Sequence, residues 1–300
     1  MRRYKAIISA IMFLGLALQA QADDSTSTIK QSGFSPLYLG VDQETATIPS
    51  NPTTTGGPAT ISHAYIMRID LKAPGIAFVT TAHSGSLETV SETTSQFAID
   101  NRVRVAINAN FFSPCCNAYP EPKDVIGLLV SNGKVVSPAT TDPVQSEAVL
   151  AITRGNNAVI AHGSAVDASQ VVTAVAGSAI LVQDGKDTSA SSPNEGDPLN
   201  PNPRTVVGLS DHNRYLYLVV IDGRVSGYSR GTTNAQSAAL MLALGCDSAL
   251  NLDGGGSTEM VRADTLGQPY IVNNPSGGSE RYDAAALGVH ALELPKPPFQ

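Results

Sequence analysis

Residues 251–260 read NLDGGGSTEM, placing the carboxylate of Asp253 directly before Gly254, Gly255 and Gly256 and the hydroxyl of Ser257. Three consecutive residues without side chains let a ligand approach the backbone, and successive amides in such a turn form a concavity suited to an anion. A flexible hairpin loop uses the same composition. Strand alternation favours a built site: in ALNLD, Leu250 and Leu252 point one way, so Asn251 and Asp253 share the opposite, polar face.

RVAINANFF follows the same rule, with Val105 and Ile107 on one face and Asn108 and Asn110 on the other. Each polar pair also suits an ordinary turn at a strand end. Arg204, at the entry to an apolar strand, offers a planar fork for a carboxylate or phosphate, or else a surface ion pair. Asp222 closes the apolar run 216–221 and is either a site carboxylate or half of an Asp-Gly turn. Glu259 and Asp264 read as solvated strand and turn charges.

The elements that must position these residues are mostly strands. Residues 63–70, 76–81 and 103–112 alternate or run apolar. GLLVSNGKVV, AILVQDGKDT and LVVIDGRVSG each join an apolar run to Asn-Gly or Asp-Gly, the signature of a tight hairpin. The run 216–221 is apolar throughout, as expected of a central strand buried on both faces. One helix is well marked: Thr233 and Gln236 form a capping box, Ala235, Ala238, Ala239 and Leu242 an apolar stripe, and Gly245 a left-handed stop. The expected architecture is α+β, a single domain on a mixed, twisted β-sheet with packed helices.

The first 22 residues carry Arg2, Arg3 and Lys5, an apolar run over 6–18 and the small-residue end Ala20-Gln21-Ala22. That is a secretory signal peptide, too short in its apolar part to span a bilayer. The expected product is exported, periplasmic or extracellular, with no membrane insertion after cleavage. Loss of those three bases takes the formal charge from −7 to −10, against any general attraction to nucleic acid. Residues 23–58, rich in Ser, Thr, Pro and Gly, read as a flexible extension, 59–293 as the domain and 294–300 as a tail. Of Cys115, Cys116 and Cys246, adjacent cysteines rarely bond to each other, so one would pair with Cys246 if the fold brings them together.

In order, VAINANFF, VIGLLVSNGKVV, SAILVQDGK, PRTVVGL, LVVIDGR, GTTNAQSAALMLALGCDSALNLDGGGSTEMV and NNPSGGSERYDAAALGV resemble the phosphodiester glycosidases. The resemblance spans roughly residues 64–292. It implies an exported hydrolase releasing a sugar, N-acetylglucosamine-like, from a sugar 1-phosphodiester or related glycan. It also implies that Asn108, Asn110, Phe111 and Phe112 line the pocket, that Arg204 and Arg281 meet phosphate, and that Asp222 and the 253–257 segment belong to the site. Asn110 stands where many members have glycine, and Tyr282 where proline is frequent.

Under that reading Asp253 is the catalytic carboxylate, with Asp222 as its partner or as base for water. Asn108, Asn110, Phe112, Arg204, Asn251, Gly254, Gly255, Gly256, Ser257 and Arg281 bind substrate, the glycine amides cradling the phosphate. No cofactor is required, although Asp222 and Asp253 could hold a divalent cation with Asn110. Ser257 lacks a G-x-S-x-G context, and the five histidines show no ligand spacing. Two alternatives stay open: a non-catalytic exported glycan-binding protein, and an exopolysaccharide glycosidase without phosphate specificity.

Overall fold

The computed structural model describes residues 29–49, 61–139, 148–191 and 199–295. The expected signal peptide, part of the expected extension and most of the expected tail lie outside them. The largest sheet has nine strands, in the order Lys30–Gln31, Val41–Pro49, Ile61–Asp70, Tyr215–Ile221, Arg204–Ser210, Cys246–Asn251, Ala179–Gln183 and Lys186–Asp187, with Ser35–Tyr38 added beside Val41–Pro49. A five-stranded sheet orders Pro269–Ile271, Met260–Ala263, Val105–Asn108, Ala286–His290 and Ala77–Thr80. A second five-stranded sheet runs from Lys134–Ser137 to Ala158–His162, and three short strands make the last.

The α+β expectation is overturned. Every strand pairing among the described residues is antiparallel, and those residues form only two α-helices, Thr94–Asn101 and Asn234–Ala243. Tyr215–Ile221 is indeed central and buried on both faces, but that burial does not require a parallel sheet. Leu216, Leu218 and Val220 face a core shared with the other sheets. Tyr217, Val219 and Ile221 face Ala238, Leu240 and Met241 of the helix. The helix starts as its sequence dictates: Gln236 amide donates to Thr233 Oγ1 and the Thr233 amide to Gln236 Oε1.

Within residues 30–49, assigned by composition to a flexible extension, three strands form instead, Lys30–Gln31, Ser35–Tyr38 and Val41–Pro49, the last pairing along its whole length with Ile61–Asp70. The alternating burial of Val41, Ala46 and Ile48 was hidden among Thr, Gln and Glu. Asn132-Gly133 and Asp184-Gly185 both take positive φ, as tight hairpins require. Asp222 does not: the left-handed residue there is Arg224, at φ 59°. Cys115 is paired with Cys116 and Cys246 is a buried free thiol, so the expected bridge to Cys246 is not formed.

Candidate active site

Three strand ends converge on Asn108, which is fully buried at the end of Val105–Asn108. Its Nδ2 donates to the Asp253 carbonyl at 2.7 Å. Its Oδ1 accepts from Thr205 Oγ1 at 2.6 Å and from the Glu259 amide at 3.2 Å. The Asp253 amide meanwhile donates to the Ala109 carbonyl at 3.0 Å. Both backbone groups of Asp253 are thus held, with Leu250 and Leu252 in the core as alternation requires.

Asp253 Oδ1 accepts from the Gly254 amide at 2.8 Å. Burial pushes its carboxyl up to about 6, against the opposing pull of Ser257, the Gly254 amide and the Arg281 guanidinium. Asp283 is the second carboxyl here. It is buried, shares Ser257 and Arg281 with Asp253, and is raised well above the usual range by burial and then by the Asp253 charge. Its Oδ1 has no hydrogen-bond partner among the described residues. Arg281 Nη1 donates to Ser257 Oγ at 3.2 Å, so one hydroxyl links the arginine to both acids.

Beyond this pair Glu259 is 2 % exposed, contrary to its expected solvation. Burial, then Glu280 and Asp283, push it up to about 10. Glu280 Oε1 accepts from the Ser95 amide at 2.9 Å at the start of the first helix. Asp264 is the turn charge expected of it, accepting from the Leu266 and Gln268 amides at 2.8 Å.

The three glycines meet three different neighbours. A Cβ on Gly254 would lie 2.7 Å from the Pro203 carbonyl oxygen. Gly255, at φ 65°, faces Arg224 Nη1 at 3.3 Å from its Cβ position, and a Cβ on Gly256 would overlap the Arg281 guanidinium. The amides of Gly254, Gly255 and Ser257 donate to Asp253, Pro203 and Gly254 respectively. The loop therefore makes room for two arginines, and most of its amides are engaged within the chain.

Several of the expected ligands are buried and hydrogen-bonded within the chain. Asp222 is 1 % exposed; Oδ1 accepts from Asn273 Nδ2 and the Asn274 amide, both at 3.0 Å, and Oδ2 from that amide at 3.1 Å. Its environment contains Tyr228 and His63, which stack at 4.3 Å. Asn110 donates to the carbonyls of Ile126 and Leu128 and accepts from the Ala176 amide. Asp222, Asp253 and Asn110 thus hydrogen-bond to three different sets of partners within the chain. Among the described residues no cluster of His, Cys, Asp and Glu is arranged for a metal.

Phe112 belongs to the core. Asn251 is 2 % exposed and donates to Ser178 Oγ at 3.1 Å and the Leu252 carbonyl at 3.0 Å. Arg204 is buried, and its Nε donates to the Thr232 carbonyl at 3.0 Å.

The family model for phosphodiester glycosidase matches residues 101–290. The chain belongs to the phosphodiester glycosidase family. No curated protein matches the sequence. Among solved structures it resembles the catalytic domain of zebrafish N-acetylglucosamine-1-phosphodiester alpha-N-acetylglucosaminidase, auto-inhibited by its pro-peptide. That likeness has TM-score 0.59 and 19% identity, over 87% of this chain and 88% of the other. It also resembles a Burkholderia pseudomallei K96243 protein named "Putative exported protein", with TM-score 0.63, 14% identity and coverage of 87% and 96%. A hypothetical protein from Synechocystis gives TM-score 0.58 and 15% identity, covering 84% of this chain and 62% of the other. At these identities the structural likenesses establish the fold. No helix of the described residues is long and apolar enough to cross a membrane.

In this member of the phosphodiester glycosidase family three residues around the glycine loop carried no clear sequence signal. Asp283 precedes the apolar stretch AAALGV, where a lone acid at a buried strand entry was the available hint. Arg224 follows Asp222-Gly223 and was masked by the turn reading. Glu259 sits one residue before the strand Met260–Ala263 and looks like any exposed charge.

Proposed function

We propose that the protein is an exported hydrolase that releases an N-acetylglucosamine-like sugar from a sugar 1-phosphodiester. The observation that carries this reading is the Asp253–Ser257–Asp283 arrangement beside Arg281, within a chain of the phosphodiester glycosidase family. Two carboxyls whose environments separate their ionisation supply one charged and one neutral acid in a single site. Charged Asp253 faces the developing oxocarbenium ion. The bond from the anomeric carbon to the phosphate oxygen breaks, the phosphate monoester leaves with the electron pair, and water adds to the carbon, its proton passing to the carboxylate.

A phosphate monoester is already a good leaving group, so strong acid assistance is less necessary than for an ordinary glycoside. What the departing group needs is positive charge near its oxygens, which Arg281 supplies on the Ser257 side. Asp222, closed off by Asn273 and Asn274, maintains the loop instead of acting on water. The test is release of free N-acetylglucosamine from UDP-N-acetylglucosamine or a 4-nitrophenyl phosphodiester of the sugar. Binding without release, or activity only on glycosides lacking phosphate, would contradict the reading.

A further inference from the structure

We propose that Arg224 and Arg281 together form the phosphate-binding site at the glycine loop, with Arg224 as its specificity-determining outer arm. This inference rests on the phosphodiesterase reading above; it keeps Arg281, which the sequence also pointed to, and puts Arg224 in place of Arg204 and the glycine amides.

The two guanidinium groups sit against consecutive residues, Arg224 against Gly255 and Arg281 against Gly256. Consecutive Cα atoms are about 3.8 Å apart, so the two guanidinium groups border one short stretch of backbone. Neither arginine forms a salt bridge with a carboxylate among the described residues. Arg224 is exposed, and its Nε and Nη2 donate to the neutral Asn202 Oδ1 at 3.2 and 2.8 Å, which fixes the fork without neutralising it. The left-handed backbone of Arg224, φ 59°, sits two residues after the buried tether Asp222. Arg281 is steered from the other side by Ser257 Oγ at 3.2 Å.

Competing sites are less well suited. Arg204 is buried with its Nε committed to the Thr232 carbonyl. The amides of Gly254, Gly255 and Ser257 have acceptors within the chain. Arg281 lies beside Asp253 and Arg224 against the adjoining Gly255, and the planar forks of both match phosphate oxygens.

The experiment is calorimetric titration of the mature protein with inorganic phosphate and, separately, with a sugar phosphodiester, comparing wild type, Arg224→Ala and Arg154→Ala. Arg154 is exposed in a turn outside the site and serves as the control. Arg224→Ala should weaken both ligands about 10- to 100-fold, the scale of a lost charge-assisted hydrogen bond, with Arg154→Ala unchanged. Loss of affinity for the diester alone would make Arg224 a contact to the aglycone and overturn its assignment to phosphate, as would wild-type affinity in Arg224→Ala. If phosphate binding follows the prediction but no diester is cleaved, the hydrolase reading fails and this site stands. If the diester is cleaved and Arg224→Ala binds normally, only this inference fails.

Discussion

The guanidinium of Arg281 occupies the space that a Cβ on Gly256 would need, and from there it donates to Ser257 at 3.2 Å. The third glycine of the loop is therefore a seat for an arginine. Gly256→Ala should fold, because Arg281 is flexible and partly exposed, yet displace the guanidinium. The expected loss in kcat/KM is about 10- to 100-fold, with circular dichroism unchanged. Wild-type kcat/KM in this variant would mean that the position of Arg281 is irrelevant to turnover.

The acid limb of the pH–rate profile should report Asp253. With its carboxyl at about 6, activity should rise as pH increases through that value, since the charged form is the working one. Ser257 lowers Asp253 by hydrogen bonding, so Ser257→Ala should move the limb upward. A limb that stays in place, or moves down, would remove Asp253 as the titrating group.

Glu259 connects the site to stability. Its folded value, about 10, lies far above that of an exposed glutamate because of burial and the neighbouring Glu280 and Asp283. The folded state thus holds a proton that the unfolded chain releases, and this contribution is present at acid pH and lost as pH rises toward 10. Asp283 and Asp253 act in the same direction. Thermal unfolding should show Tm falling from pH 5 to pH 9, and Glu259→Gln, which cannot ionise, should flatten that fall. An equal slope in the variant would show that Glu259 does not contribute.

Asn108 should be the costliest asparagine to remove. Asn108→Ala leaves the Thr205 hydroxyl, the Asp253 carbonyl and the Glu259 amide without their shared partner. At about 1–3 kcal/mol for each buried group left unsatisfied, urea denaturation should show a loss of several kcal/mol. A change below about 1 kcal/mol would mean that water replaces the side chain.

Local rules were legible where they depend on neighbours in sequence. The capping box of Thr233 and Gln236, the hairpins at Asn132 and Asp184, and the inward leucines beside Asp253 all follow from adjacent residues. Pairing direction was not legible, because a strand buried on both faces fits either a parallel sheet or this antiparallel one covered by a single helix. Asp222 and Asn110 were singled out by type, but whether a polar side chain meets substrate or backbone depends on which distant segment packs on it. For Asp222 that segment is 273–274, and for Asn110 it includes Ile126, Leu128 and Ala176. Asp283 reaches Asp253 only through tertiary contact, across Ser257 and Arg281.

The central claim is that Asp253 cleaves a sugar 1-phosphodiester, and the most direct measurement is N-acetylglucosamine release from UDP-N-acetylglucosamine by wild type and Asp253→Asn. Release by wild type, with kcat reduced at least about 1,000-fold in the variant and an unchanged unfolding transition, is the predicted result. Comparable turnover by the folded variant would contradict it.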